Sequence, residues 1–196
     1  ALSSAASDVY KRQEFTVSVQ LTPPYSLWDG KDYKSTALSE QERYNWIEFH
    51  KWMLKGQWFT PLTRNGNLVL MARAEMGYLG HYNKNKVSPF ERFEVGGDGM
   101  SGYNMYGIDI IAVRGYEEGA LDPSNNYSVA YNKYTMELRY PLLLKGQTNI
   151  YVLGFLEGGN GFTSWKEFSP FKIKRSAGIG VRLFLPVVGM VGVDWG

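Results

Sequence analysis

The chain contains no cysteine. Disulfides, thiolate nucleophiles and cysteine-bound metals are therefore excluded. Histidine is scarce: His50 and His81 occur without an HExxH pattern, which argues against a histidine-based metal site. Charge of one sign is missing too. The formal net charge is +2, with no basic block or stripe to bind nucleic acid. No apolar run approaches the roughly 20 residues of a transmembrane helix. The most apolar stretch, LFLPVVGMVGV at 183–193, is too short and contains Pro186. The opening stretch ALSSAASDVYKRQ does not read as a secretory signal, because it has no apolar core beside a basic region. Residues 1–13 share none of the patterning that begins at Glu14 and look like adapter-derived sequence. They are expected to be a non-native tail, with residues 14–196 forming the fold.

Aromatic and small residues are abundant. Aromatics make up 15% of the chain, and there are 22 glycines. From Glu14 onward the dominant signal is alternation with a period of two, the mark of strands with one apolar face. Phe15, Val17, Val19 and Leu21 share one side of EFTVSVQL. Leu68, Leu70, Ala72, Ala74, Met76 and Tyr78 share a face, with Arg73 and Glu75 opposite. Tyr134, Met136, Leu138, Tyr140 and Leu142 oppose Lys133, Thr135, Glu137 and Arg139. Ile173, Ala177, Ile179, Val181, Leu183 and Leu185 oppose Lys174, Ser176 and Arg182, and Arg175 interrupts that apolar face. YNWIEFHKWMLKGQWFTPL at 44–62 and NIYVLGFLEGG at 149–159 read as strands with less regular alternation. MVGVDWG begins another.

Short turns alternate with long connections along this meander. TRNG, LKGQT and PVVG are tight, with glycine supplying the positive φ that such turns use. The longest connection runs from about Asn83 to about Tyr127. This asymmetry is typical of outer-membrane barrels. Strands of about 10 alternating residues suffice to cross a bilayer when tilted. Their charged faces need a wet or ion-paired lumen, and their apolar faces need lipid. Tyr and Trp gather near strand ends, as an interfacial girdle would. A soluble sandwich is the blander alternative. The expected fold is all-β: a transmembrane, antiparallel, up-and-down β-barrel, here partial. It has about seven strands and one long lumen-entering loop. Closed bacterial barrels have even strand numbers, so the chain is expected to be incomplete at both ends.

The long connection is too apolar for a disordered segment. Phe90, Phe93, Tyr103, Tyr106, Ile108, Ile110, Ile111 and Tyr116 all favour burial. Folding back into the lumen satisfies them, and Arg114 would then need a carboxylate partner. Glu137 and Glu157 are the candidates on lumen-facing sides. Taken alone, Val113, Arg114 and Gly115 would better suit a solvated loop.

The motifs do not stand alone. FERFEVGG (90–97), VRGY (113–116), MELRYPLL (136–143), GFLEGGNGF (154–162) and KIKRSAGIGVRLFLPVVG (172–189) occur in order. Together they resemble the C-terminal barrel region of the BamA family of assembly factors, within the bacterial surface antigen superfamily. The likeness covers roughly residues 14–196. It implies that Val113, Arg114, Gly115 and Tyr116 form the tip of a lumen loop. It implies that Arg114 pairs with Glu157, where the family usually has Asp, and that Glu137 is a second lumen acid. Lys174 stands where the family has arginine.

The resemblance also implies a bacterial outer-membrane location and a role in inserting β-barrel proteins. Implied partners are unfolded outer-membrane clients, membrane lipid, accessory lipoproteins and periplasmic POTRA modules outside this chain. A polypeptide-translocating relative and a passive channel are the alternatives. No cofactor and no metal is expected. No enzyme is expected either: a G-x-S-x-G elbow is absent, and the glycine runs lack the Lys-Ser/Thr ending of a phosphate loop. Glu117 and Glu118 are adjacent in sequence and read as solvated, not as an acid/base pair.

Overall fold

A computed structural model describes residues 13–31, 33, 39, 41, 45–99, 107–123, 127–145, 148–185 and 189–196. Apart from Gln13, the segment expected to be a non-native tail lies outside the described residues. So do the centres of the LKGQT and PVVG turns.

Among the described residues, one sheet of seven strands has the order β1-β2-β3-β6-β7-β8-β9. These are β1 (Gln13–Leu21), β2 (His50–Pro61), β3 (Val69–Gly80), β6 (Ala130–Lys145), β7 (Thr148–Phe162), β8 (Lys174–Leu185) and β9 (Gly189–Trp195). Every pairing in it is antiparallel, and each strand pairs with its neighbours along the chain. β1 and β9 are its two edges, so the wall is open. The turn after β2 closes as its glycine suggests: Gly66, at φ 68°, donates its amide to Thr63 O. β2 starts at His50, later than alternation from Tyr44 implies. The reason is local: the buried Glu48 carboxylate accepts from the Ser26 amide and hydroxyl, which holds that residue out of the ladder. Ser26 lies on the single helical turn α1 (Tyr25–Trp28).

The alternation maps onto two environments. Leu138 is 42% exposed, Leu156 58% and Ile179 62%, all on the outward face. Glu137 and Glu157 are buried on the opposite face. An exposed apolar band this extensive needs an apolar solvent, which lipid provides.

The long connection folds against the inner face. It contains two three-residue strands, β4 (Phe93–Val95) and β5 (Asp109–Ile111), paired in parallel. Phe93, Val95, Ile111, Val113 and Leu121 of this loop form one buried cluster with Leu79 and Tyr131 of the wall. Gly77 makes that contact possible, since a Cβ there would lie 2.3 Å from Tyr131 Cε1. These buried residues dock the loop to β3 and β6, while Tyr103 and Tyr106, also expected to be buried, lie outside the described residues.

The outward face yields a test. Leu156→Arg in the full-length protein should cost about 2–4 kcal/mol, the usual penalty for a charge near the bilayer midplane. Urea unfolding in lipid vesicles measures it, with Leu156→Ala as the control. A cost below about 1 kcal/mol would place Leu156 away from lipid.

Candidate functional site: the arginine at the loop tip

The tip is delivered by backbone geometry. Val113 bridges to Gly97 and is fully buried, which fixes the chain just before the arginine. Gly115 follows at φ 84°, a left-handed conformation that glycine adopts without strain. A Cβ there would come within 3.0 Å of Ser176 on β8, so glycine also allows the tip to approach the wall. Tyr116 then donates its hydroxyl to Arg175 O at 2.8 Å, tying the far side of the tip to β8.

Between these fixed points Arg114 reaches the inner face. Its Nη2 lies 2.7 Å from Glu157 Oε1 and 2.6 Å from Glu137 Oε1. Its backbone amide donates to Glu157 Oε2 at 2.8 Å. Glu157 therefore grips the tip by both main chain and side chain. Thr135 adds a hydroxyl donor to Glu157 Oε1 at 3.2 Å. The guanidinium carbon stands 3.9 Å from the Phe155 ring centre, within cation–π range.

The network extends in both directions. Glu137 Oε2 accepts from Arg139 Nε and Nη2 at 2.8 and 2.6 Å. Arg114 Nη1 lies 3.4 Å from Asp194 Oδ2, and Asp194 takes two 2.6 Å bonds from Arg182. Arg114, Arg139 and Arg182 thus balance Glu137, Glu157 and Asp194, and the ion chain joins β6, β7, β8 and β9 to the loop. Burial alone would lower the Arg114 pKa, but Glu157 and Glu137 more than offset it and hold the value above the usual arginine range. The guanidinium stays charged.

The structure brings every residue of the expected motif to one place. Val113 is core, Arg114 is the ion centre, Gly115 is the turn and Tyr116 is the strap to β8. Both Glu157 and Glu137, weighed as separate candidates, contact the same guanidinium nitrogen. Sequence reasoning missed Asp194, which lies in a segment read only as the start of a strand. It also missed Phe155, whose apolar side chain carries no sign of its cation contact. In chemistry the arrangement is a static lock.

A second polar knot closes the loop's outer end. The Asp122 carboxylate accepts from the Val95 amide at 3.2 Å and from the Ser128 hydroxyl. Burial lifts the Asp122 pKa to about 6, against those two donors, which lower it. Glu94 is raised in the same direction, by burial and then by Glu118.

Comparison with known proteins places this geometry in a class. A family model described as the Omp85 superfamily domain matches residues 35–196. The chain belongs to the Omp85 superfamily, a family of outer-membrane protein assembly and translocation, and its location is the bacterial outer membrane. Among particular proteins, it is 35% identical over 83 residues to the outer membrane protein assembly factor BamA of Neisseria meningitidis serogroup B. That match takes in 42% of this chain and 8% of the relative. The crystal structure of BamA from Haemophilus ducreyi lacking POTRA domains 1–3 superposes with a TM-score of 0.62. It covers 95% of this chain and 35% of that one at 16% identity, a likeness of fold. The chain is similar to a C-terminal BamA barrel segment and spans about a third of that structure.

Two outcomes follow. Glu157→Gln should destabilise the folded full-length barrel by about 3 kcal/mol, because it leaves a buried guanidinium short of charge. Asp194→Asn should cost only about 1 kcal/mol, since its Arg114 contact is longer and nearer solvent. The temperature at which the barrel loses resistance to dodecyl sulfate ranks them. The reverse order would move the centre of the lock to β9.

Acid should stabilise the loop around Asp122 by removing a buried charge, even though the Val95 and Ser128 hydrogen bonds favour the ionised form. A carboxyl whose folded pKa lies above its usual 3.8 binds its proton more firmly when folded. Loop stability then rises as pH falls from above 6 toward 4. Two units correspond to at most about 3 kcal/mol, and solvent access reduces that to about 1. Hydrogen exchange at Val95, corrected for intrinsic rate, should slow between pH 7 and pH 5, and Asp122→Asn should flatten the trend.

Proposed function

We propose that this segment is the lumen-braced part of a BamA-like insertase, which assembles β-barrel proteins in the bacterial outer membrane. The observation that carries the reading is the loop-tip network, in which one arginine joins three strands of the wall, β6, β7 and β9, and Arg182 extends the network to β8. In lipid every strand edge must be paired, because an unsatisfied backbone group costs several kcal/mol. A barrel that lets a client strand add to its edge must therefore open locally without losing its remaining shape. A loop ion-paired across the inner wall supports that, since it holds several strands in register from within.

On this reading the partners are unfolded outer-membrane proteins and the surrounding lipid, with POTRA modules and accessory lipoproteins outside the chain. The network turns over no substrate and needs no cofactor.

The test is Arg114→Ala in the full-length protein reconstituted in vesicles. Client folding should fall about tenfold, and the dodecyl sulfate-resistant form should melt earlier, as expected when one partner of a buried ion group is lost. Unchanged client folding together with unchanged heat resistance would remove the brace from the mechanism. Unchanged client folding with passage of unfolded polypeptide instead would favour a translocating relative.

A further inference from the structure

A lysine of the wall meets the same loop far from the tip. Lys51, the second residue of β2, has a side chain only 1% exposed. Its Nζ lies 2.5 Å from Asp109 Oδ2 and 3.4 Å from Glu91 Oε2. The Asp109 contact is ionic, off the direction of an aligned hydrogen bond. The ammonium also stands 5.0 Å from the Phe93 ring centre. Glu91 lies just before β4 on the limb that enters the loop, and Asp109 opens β5 on the limb that leads to the tip. One buried cation from the wall thus holds both limbs.

The site is built. Glu91 has a φ of 62°, the lone positive value among described non-glycine residues, and a left-handed glutamate is strained. Gly107 makes room for it: a Cβ there would lie 2.1 Å from Glu91 Oε1. Asp109 is tied to the entering limb by its amide, which donates to Arg92 O at 3.0 Å. Two special backbone conformations and a fully buried lysine converge on one ion group.

We propose that Lys51 is a positioning residue, a second anchor that holds the loop at the mouth of the lumen independently of the Arg114 lock. Lys51 lies at the end of the sheet where the long connections emerge, paired with Leu79. Arg114 binds farther down the wall, beside the Thr135–Glu157 pair. β3, β6, β7 and β8 separate β2 from β9 in the sheet, so the two anchors stretch the loop across most of the wall. They also differ in strength. The acids at the tip are 5% and 3% exposed, whereas Glu91 and Asp109 are 30% and 39% exposed. Ion pairs nearer solvent are weaker, so the mouth opens before the tip.

This inference rests on the reading of the loop as an internal brace, but its test needs no client. Hydrogen exchange is followed in the full-length protein in lipid nanodiscs. Lys51→Met should speed exchange about tenfold in peptides covering 91–95 and 107–111, the scale of opening expected when a buried ion partner is lost. Peptides covering 113–116 should stay protected, and Lys51→Arg should restore the limbs. Unchanged exchange at 107–111 would overturn the anchor. Equal opening of mouth and tip would overturn its independence. If Lys51→Met does not fold, Asp109→Asn and Glu91→Gln release the same anchor from the loop side and are read the same way. If Arg114→Ala spares client folding while Lys51→Met still opens the limbs, the insertase reading falls and the anchor stands.

Discussion

The ion network on the lower inner face depends on one guanidinium having nowhere else to go. Arg114 is carried into a partly dehydrated lumen by a backbone that Val113 and Gly115 fix on either side. A charge moved out of water is costly unless it is met by opposite charge and hydrogen bonds. Glu137, Glu157 and Asp194 meet it from three strands. Such a group is weak evidence for net stability, because the cost of dehydration offsets much of the attraction. It is strong evidence for specificity. Any slip of β6 against β7 would turn one of the two acids to the lipid face, since register changes of one residue invert every side chain. The lock therefore fixes register as well as the loop.

The wall imposes the complementary constraint. A strand with charges on one face and bare leucines on the other is stable only between two solvents. Outward Leu138, Leu156 and Ile179 require lipid, while inward Arg139 requires Glu137 and inward Arg182 requires Asp194. The loop resolves what remains: it covers the mouth-side inner surface with Phe93, Val95 and Val113, and it meets the charges lower down with its arginine. One segment thus supplies apolar packing where the lumen wall is apolar and ions where it is ionic.

The parts of this arrangement legible in the sequence were those with a periodic or spaced signal. Alternation revealed the long strands, because side chains on a strand must choose between lipid and lumen. The apolar content of residues 90–116 pointed to a packed loop, whereas the lock was legible only through the resemblance of VRGY and the strand motifs to the BamA family. Lys51 was hidden because it lies in an aromatic stretch whose alternation is blurred, and a lysine in a strand looks the same whether buried or wet. Its partners are about 40 and 58 residues away in a loop, and nothing in local spacing joins them. Asp194 escaped for a different reason: a single acid near the last residues carries no pattern. Glu48 shortened a strand that propensity would have extended, since burying its carboxylate against Ser26 outweighs a few ladder bonds.

The glutamate at position 157 shows how a small chemical departure can be absorbed. With aspartate, the carboxyl would end one methylene nearer the strand. With glutamate, Oε1 reaches the guanidinium and the Thr135 hydroxyl while Oε2 reaches the Arg114 amide. Two oxygens on a longer stem span the gap between wall and loop, so the loop need not press closer to β7. The neighbouring small residues set how large that gap can be. Gly115 already brings the tip to Ser176, and a Cβ at Gly159 would lie 3.4 Å from Val113 Cγ2. Approach is limited by backbone and by Val113, so the carboxylate must make up the remaining distance. The longer acid is therefore matched to a loop seated by its glycines and its buried valine, and charge, reach and packing at this site answer one another.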